Sequence, residues 1–356
     1  MRRRDFLERG GAIVGATLLS GCLERLGFET QSAWRDPPLV ADRPAAVYYP
    51  AIVEAAGRYG TATAGDLGFA LMHSYPHRFF TITGERLTTV PVRSEDSLHL
   101  MAAVWDRRSG TVLPVDVGAA IETPSGERRT TTFWPMLSPM MGFHYGDNVA
   151  LPGPGTYEIS LQVGPLRTDR TSPLDGRLTT RRETTMQFTF DPGETYDLAI
   201  DRLGDRAGTR GTVDLETMDG VPAPIVPRRR DLPGRVVFAG RTGDARVFVG
   251  IVEGESRFRE GRGPYLYASP RTPYNRVMLP RMGLKGTLER DGATVATRGL
   301  RATVDPDLGL HYGAPLDEIR KGDTVHIEVL TPPQLARHDG YETAFLDMGP
   351  IEGRVE

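Results

Sequence analysis

The chain has 356 residues, of which 39% are hydrophobic and 25% charged, and its formal net charge is −3. This length predicts about two domains, and the composition is that of a folded protein with enough apolar residues for two cores. No basic stripe with interleaved aromatic residues is present, which argues against a nucleic-acid partner.

The N-terminus has the features of an export signal. An arginine pair, Arg3-Arg4, precedes a short apolar run over 10–19 and then Leu19-Ser20-Gly21-Cys22. The pair resembles a twin-arginine signal and the second motif resembles a lipobox, whereas the run is too short to span a bilayer. We therefore predict a signal peptide over 1–21 and lipid attachment at Cys22, the only cysteine, on the outer face of the cytoplasmic membrane. The alternative is an N-terminal helix with a buried cysteine.

Beyond a proline-containing tether over 22–45, short segments rich in β-branched and aromatic residues are separated by glycine and proline, which predicts strands. Turn signals recur about every dozen residues, as in an antiparallel β-sandwich. The predicted strands cover 79–83, 98–104, 115–123, 156–163, 186–190, 246–251, 277–279, 284–288 and 324–330.

A repeated tripeptide indicates two modules. His-Tyr-Gly occurs at 144–146 and 311–313, and each copy follows a Leu-Pro pair and lies between two turn glycines. We predict a first module over 46–192 and a second, divergent module over 235–356. The linker over 193–234 is expected to be polar, with one short helix.

The segment from Trp134 to Gly146 is the densest group of possible ligands. It contains three methionines and His144, and its prolines and glycine predict a loop between strands. Met thioether and His imidazole together suit Cu(I), and tolerate Fe(II) if other ligands complete the shell. Met136 and Met140 are therefore candidate ligands. The alternative is that Met140 and Met141 fill a gap in the core.

The string Trp-Pro-Met, a short loop, His-Tyr-Gly-Asp-Asn-Val and Gly-Thr-Tyr resembles the bacterial periplasmic iron-transport proteins. These are immunoglobulin-like, copper- and iron-binding partners of ferrous-iron permeases, and the chain also resembles an archaeal lipoprotein branch of the family. The resemblance is clear over 65–192 and faint over 235–350. It implies an all-β fold of two immunoglobulin-like antiparallel β-sandwich domains in tandem, and a suspected iron or copper ion.

The family's ligand pattern carries over in part. Met136 and His144 match the methionine before the loop and the histidine of His-Tyr-Gly. His73 matches a histidine on an early strand, although Tyr75 stands where the family has a glutamate. His77 is a further candidate for the same space. The alternative for each lone histidine is a structural or surface role.

The second module completes the pattern differently. His311 repeats His144, and a late loop over 332–343 supplies His338, whereas the corresponding loop of the first module, 165–178, has no histidine. Thr303 or Val304 stands where the methionine belongs. Because family members pair as dimers with metal sites near the interface, the two domains could form a pseudo-dimer with one composite site. One working site beside a decayed copy is the alternative.

His99 and His326 lie on predicted strands and are interpreted as structural. No motif of a nucleophile, metalloprotease or nucleotide site is present, so an enzyme is not expected. The sequence favours a membrane-anchored, extracytoplasmic carrier of iron or copper that delivers to a membrane permease. The alternative is a cell-surface binding or adhesion module that has lost its metal.

Overall fold

In a computed structural model, which describes residues 37–254, 256–258 and 263–356, nearly all regular structure is β-strand. The predicted signal peptide, Cys22 and most of the predicted tether lie outside the described residues. Residues from Pro38 to Glu356 form one compact unit. Within the described part of the chain, helices are too short or too polar to cross a membrane.

The first half of the chain contains thirteen strands and one α-helix among the residues that the structure describes. They are β1 Ile52–Glu54, β2 Gly57–Ala64, β3 Leu67–Ser74, β4 Phe79–Thr83, β5 Arg86–Val90, β6 Leu98–Asp106, β7 Val117–Glu122, β8 Arg128–Ser138, β9 Gly142–Val149, β10 Gly155–Val163, β11 Asp169–Arg170, β12 Arg182–Phe190, α1 Pro192–Tyr196 and β13 Ile200–Arg202.

The second half adds nine strands among the described residues. They are β14 Arg235–Thr242, β15 Ala245–Val252, β16 Tyr265–Arg271, β17 Gly283–Arg290, β18 Ala293–Asp305, β19 Gly309–Pro315, β20 Thr324–Thr331, β21 Ala336–Arg337 and β22 Ile351–Arg354.

The first sandwich follows the strand order β12-β10-β7-β8-β9-β6-β3-β2. Strand β8 belongs to both of its layers, because residues 128–133 pair with β7 and residues 134–138 pair with β9. These neighbours are antiparallel, and side chains of both layers enclose an apolar core. One long strand thus carries the chain from one layer to the other and ends in the hairpin with β9.

The second sandwich has the order β22-β20-β17-β18-β19-β16-β15-β14. Strand β18 changes partners as β8 does, pairing with β17 over 293–300 and with β19 over 301–305. Corresponding strands therefore take corresponding places in the two halves. The predicted fold class, two immunoglobulin-like antiparallel sandwiches in tandem, is confirmed.

Two short strands cross between the halves. Strand β21, from the second half, lies parallel to β8 with Ala336 opposite Met136, and also pairs with β4. Strand β11, from the first half, lies parallel to β18 with Asp169 opposite Thr303. The late segment of each half is therefore built into the sheet of the other.

One strand prediction and one loop prediction differ from the structure. Residues 277–279 form only isolated bridges, to Ile225 and Arg271, because positive φ angles at Arg276 and Arg281 end the extended backbone on both sides. The segment 134–146 is mostly a β-hairpin, with its turn at 139–141. Pro135 fits in β8 because it lies where the strand changes neighbours, and a proline without an N–H is compatible with such a position.

The stretch predicted as a polar linker packs on the rest of the chain. Its short helix, α1, begins at Pro192, where the Asp191 carboxylate accepts the N–H of Gly193 as an N-cap. Strand β13 pairs with β1, and Leu215 and Met218 pack against the core. This pairing holds Glu54, the last residue of β1, beside the site described next.

Candidate metal centre

The β8–β9 hairpin places a thioether and an imidazole side by side. Met136 lies directly opposite His144 in the register, so their side chains are on the same face of the sheet. Met136 is 0% exposed and His144 is 1% exposed. The sequence motif therefore produces a buried pair of donors from two neighbouring strands.

Strand β6 adds a histidine that is fully buried. His99 lies between Ser74 on β3 and Asn148 on β9. Its ring lies against Gly146, since a Cβ added to this glycine would be only 2.7 Å from His99 Nε2. The His99 ring therefore occupies space that is available because the third residue of His-Tyr-Gly has no side chain.

Two further histidines reach the same place from loops. His77 lies between β3 and β4, and its ring centroid is 4.3 Å from that of His99. His338 follows β21 and comes from the second half of the chain. Its Nε2 is 3.4 Å from the Sδ of Met136, and its ring centroid is 5.3 Å from that of His144.

These side chains converge closely enough to share an ion. His77, His99 and His338 can each place one ring nitrogen within 4.8 Å of the others. Met136 and His144 border this group. We call the five residues, His77, His99, Met136, His144 and His338, the His–Met cluster.

Hydrogen bonds at Nδ1 set the tautomers of three cluster histidines. His77 Nδ1 lies 2.8 Å from the Tyr75 carbonyl and 3.1 Å from a Glu54 carboxylate oxygen. His99 Nδ1 lies 2.9 Å from the Asn148 side-chain oxygen, and His144 Nδ1 lies 3.2 Å from the Gly142 carbonyl. Because each partner accepts, each Nδ1 carries the hydrogen and each Nε2 is left with its lone pair.

Those lone pairs have no hydrogen-bond partner. Nε2 of His77, His99 and His144 is buried and unpaired among the described residues. A buried polar atom without a partner costs about 1–3 kcal/mol, so three together need a physical reason. An ion bound by Nε2 provides one, and the carboxylate and carbonyl acceptors behind the rings are typical of metal-ligating histidines.

Burial also keeps three of the cluster histidines uncharged. It lowers the pKa of His144 to about 4 and, together with the neighbouring His77 and His144, lowers the pKa of His99 well below its usual value. The pKa of His338 is lowered in the same way, mainly by burial. These three rings are therefore neutral at pH 7, which is the form that binds metal.

Asn148 and Glu54 support the cluster from behind. The Asn148 amide accepts from His99 and donates to the His77 carbonyl at 2.9 Å, so one side chain fixes two histidines. The side chains of His77 and its partner Glu54 are 15% and 12% exposed. The other four residues of the His–Met cluster are 9% exposed or less. The open side of the cluster is therefore at His77.

Four of the seven residues predicted as ligands meet in this cluster: His77, Met136, His144 and His338. Met140 lies in the hairpin turn, where its carbonyl accepts the N–H of Glu216.

His73 is directed away from the cluster. It follows Met72 on β3 and precedes Ser74, the residue opposite His99, and adjacent residues of a strand face opposite sides. Its ring stacks on Tyr59 at 4.1 Å.

His311 lies in the corresponding hairpin of the second half, but its surroundings are different. Thr303 is opposite it, where Met136 is opposite His144. The Tyr265 hydroxyl lies 3.1 Å from its Nε2, so the nitrogen that is free in His144 is hydrogen-bonded here. Strands β15 and β16 correspond to β3 and β6. Tyr265 lies opposite Val252 in this pair, whereas His99 lies opposite Ser74 in the first half, so Tyr265 takes the place of His99.

The strand that crosses into the second half brings no ligand. Asp169 of β11 lies opposite Thr303, as Ala336 of β21 lies opposite Met136. Two residues later come Thr171 in one segment and His338 in the other, so Thr171 corresponds to His338. The Thr171 hydroxyl donates to Asp305 at 2.6 Å. Hydroxyl groups and hydrogen bonds thus fill the space that the His–Met cluster occupies in the first half.

His99, Asn148 and Glu54 were not identified as site residues from the sequence. One signal for His99 was present, since it is the only polar residue in the apolar run 98–104. A buried polar side chain needs a partner, and none was available within that strand. Glu54 and Asn148 have no comparable signal, because only the fold brings them near a histidine.

Comparisons with known proteins agree with the resemblance given by the motifs. Residues 113–197 match the family model described as Fe2+ transport protein, and residues 230–354 match a domain family of unknown function. No curated protein matches the chain significantly. The resemblance to iron-transport proteins is thus confirmed for the stretch that contains Met136 and His144.

Solved structures similar to the chain include FetP of uropathogenic Escherichia coli and P19 of Campylobacter jejuni. A copper-bound FetP variant is 18% identical over 38% of this chain and 93% of its own, with a TM-score of 0.32. FetP as isolated is 20% identical over 39% and 95%, with a TM-score of 0.31. A copper-bound P19 variant is 16% identical over 38% and 98%, with a TM-score of 0.32.

Proposed function

We propose that the protein is an extracytoplasmic metal carrier that binds one copper or iron ion in the His–Met cluster. The observation that carries this proposal is the convergence of His77, His99 and His338, whose ring nitrogens can lie within 4.8 Å of one another, beside the Met136 thioether. Three buried Nε2 atoms of the cluster, in His77, His99 and His144, have no hydrogen-bond partner among the described residues. The match of 113–197 to an Fe2+ transport family supports it independently.

The chemistry of the donors favours Cu(I). Burial lowers the pKa of three of the histidines, His99, His144 and His338, so these donors are neutral at pH 7. The Met136 thioether favours soft ions, while imidazole accepts both copper and iron. The Glu54 carboxylate lies behind His77, 3.1 Å from its Nδ1, and so on the side away from the nitrogen that is left to bind an ion. Buried, neutral donors such as His99, His144 and Met136 compensate a single positive charge more easily than two. We therefore propose that Cu(I) binds more tightly than Fe(II).

The site is a composite of both halves of the chain. His338 comes from the second half, whereas the other four cluster residues come from the first. We propose that the halves, 46–192 and 235–356, are copies of one module that pair as a pseudo-dimer. In this arrangement the first copy keeps the site and the second contributes one ligand.

Anchoring and delivery complete the proposed function. A lipid on Cys22 would hold the protein at the outer face of the cytoplasmic membrane, where a membrane permease would receive the ion. The exposed side of the cluster, at His77, is the route for transfer. A Cys22→Ala variant should be released from membranes in a cell-fractionation assay, and a variant that stays bound would contradict the anchor.

Replacement of one sulfur atom tests the carrier directly. Met136→Leu keeps the volume of the side chain but removes the thioether. We expect Cu(I) affinity, measured by competition with a chromogenic chelator, to fall by at least about tenfold, in line with what even outer-shell changes cost. Met141→Leu is the matched control, because Met141 lies in the same hairpin and packs against the core. No uptake of Cu(I) or Fe(II) by the wild-type chain would refute the proposal.

A further inference from the structure

The segments that carry His77 and His338 are bound to each other at three points. The residues next to the two ligands, Arg78 and Asp339, form a bidentate ion pair, with Arg78 Nε 3.2 Å and Nη2 2.6 Å from the two carboxylate oxygens. Their side chains are 10% and 23% exposed. Paired hydrogen bonds of this kind are stronger and more directional than an ordinary surface ion pair.

A second contact joins the same two segments farther along. The β4–β5 hairpin, which begins just after His77, has its turn at Gly84. There the Gln334 side chain accepts the Gly84 N–H at 2.8 Å and donates to the Gly84 carbonyl at 2.9 Å. The pairing of β21 with β4, at Arg337 and Phe80, lies between these contacts. The hairpin therefore cannot move without the loop that carries His338.

The loop that carries His338 is held by hydrogen bonds of its own. Arg337 is fully buried, and its guanidinium donates to the carbonyls of Ala344, Pro333 and Phe345, which closes the loop on itself. Glu342 accepts the Tyr48 hydroxyl at 2.6 Å and the Gly340 N–H at 2.9 Å. The loop thus presents Asp339 in a fixed position to Arg78.

We infer that Arg78 and Asp339, helped by Gln334, are positioning residues that set the distance between His77 and His338. The inference rests on the proposed carrier function, but Arg78 and Asp339 are not themselves ligands. Each member of the pair adjoins one ligand, so a change in the pair moves both. Because His77 is on the open side of the cluster, this contact controls how firmly the site is closed and how fast it releases its ion.

The test compares full-length variants by two measurements, one of which needs no metal. Arg78→Ala breaks the pair, and Arg78→Asp with Asp339→Arg reverses its charges. Arg290→Ala is the matched control, since Arg290 forms a similar bidentate pair with Asp323 in the second half, at 2.8 and 2.9 Å. The metal-free measurement is the rate at which diethyl pyrocarbonate modifies His77 and His338, with buried His311 as internal reference. The other is Cu(I) affinity by chelator competition.

In Arg78→Ala we expect several-fold faster modification of His77 and His338 relative to His311, and Cu(I) affinity lowered by roughly 10- to 100-fold, as for other outer-shell changes. The charge-reversed variant should recover most of both losses, and Arg290→Ala should show neither. Equal modification rates in Arg78→Ala and the control would overturn the inference. A wild-type chain that takes up no Cu(I) would refute the carrier function, and the modification rates alone would then decide on the positioning role.

Discussion

At the scale of single residues, His99 is the most informative position. It is 0% exposed, and its Nδ1 is held by Asn148. Its Nε2 is buried and has no hydrogen-bond partner in the part of the chain that the structure describes. The sequence alone predicts a structural role for it, because a histidine within an apolar strand usually has one. The structure instead places it among His77, His144 and His338.

His99→Gln tests this placement. Glutamine keeps a polar side chain that can bond to Asn148 but removes the imidazole Nε2. We expect Cu(I) affinity to fall at least about tenfold, since loss of a ligand should cost no less than loss of an outer-shell partner. His326→Gln serves as the control, because His326 lies on β20 between Glu289 and Glu352. Equal affinity in the two variants would remove His99 from the site.

His311 gives a prediction on stability and pH. Burial lowers its pKa from 6.5 to about 4, so the unfolded chain takes up a proton before the folded chain as the pH falls. Stability is therefore full above pH 6.5 and is lost progressively between pH 6.5 and 4. Between pH 7 and pH 5, the wild type should lose about 2 kcal/mol more than His311→Gln, measured by chemical denaturation at both values. An equal loss would contradict the buried neutral ring.

At the scale of elements, the cluster depends on glycine in β9. An added Cβ at Gly146 would lie 2.7 Å from His99 Nε2 and 3.2 Å from the Leu100 carbonyl oxygen. Gly146→Ala should therefore displace the His99 ring and weaken Cu(I) binding without replacing any ligand, at a stability cost of about 1–3 kcal/mol. Gly118→Ala on β7 is the matched control, because its nearest neighbour would be 3.9 Å away. Thermal denaturation and chelator competition measure the two effects.

Strands with a clear local pattern of β-branched and aromatic residues could be predicted from the sequence. Strands that form only because distant segments pair with them could not. Strand β4 runs from Phe79 to Thr83, as the β-branched and aromatic pattern predicts. The hairpin through Pro135 was predicted as a loop, because proline and glycine normally mark one. Strand β21 has only two residues, and its partners on β4 and β8 are about 200 to 260 residues away, so no local signal identifies it.

At the scale of the whole molecule, the two halves have the same strand order but only one His–Met cluster. The repeated His-Tyr-Gly predicted two related modules, and the sequence already placed His338 in the second. The motifs predicted His77, His144 and His338 as ligands, but that His99 joins them could not be predicted, because the four histidines come from four separate segments of the chain. In the second half, Thr303, Tyr265 and Thr171 take the corresponding places. Tyr265 is hydrogen-bonded to His311, Thr171 donates to Asp305 and Thr303 donates to the Arg301 carbonyl.

The most direct measurement is the number of copper ions bound per chain in three full-length proteins loaded with Cu(I). We predict one ion for the wild type, one for His311→Gln and none retained after chelator wash for His144→Gln. His144 and His311 occupy the same place in two equivalent hairpins, so the substitution is matched in type and burial. Two ions in the wild type, or loss of the ion in His311→Gln with retention in His144→Gln, would contradict a single site built around His144.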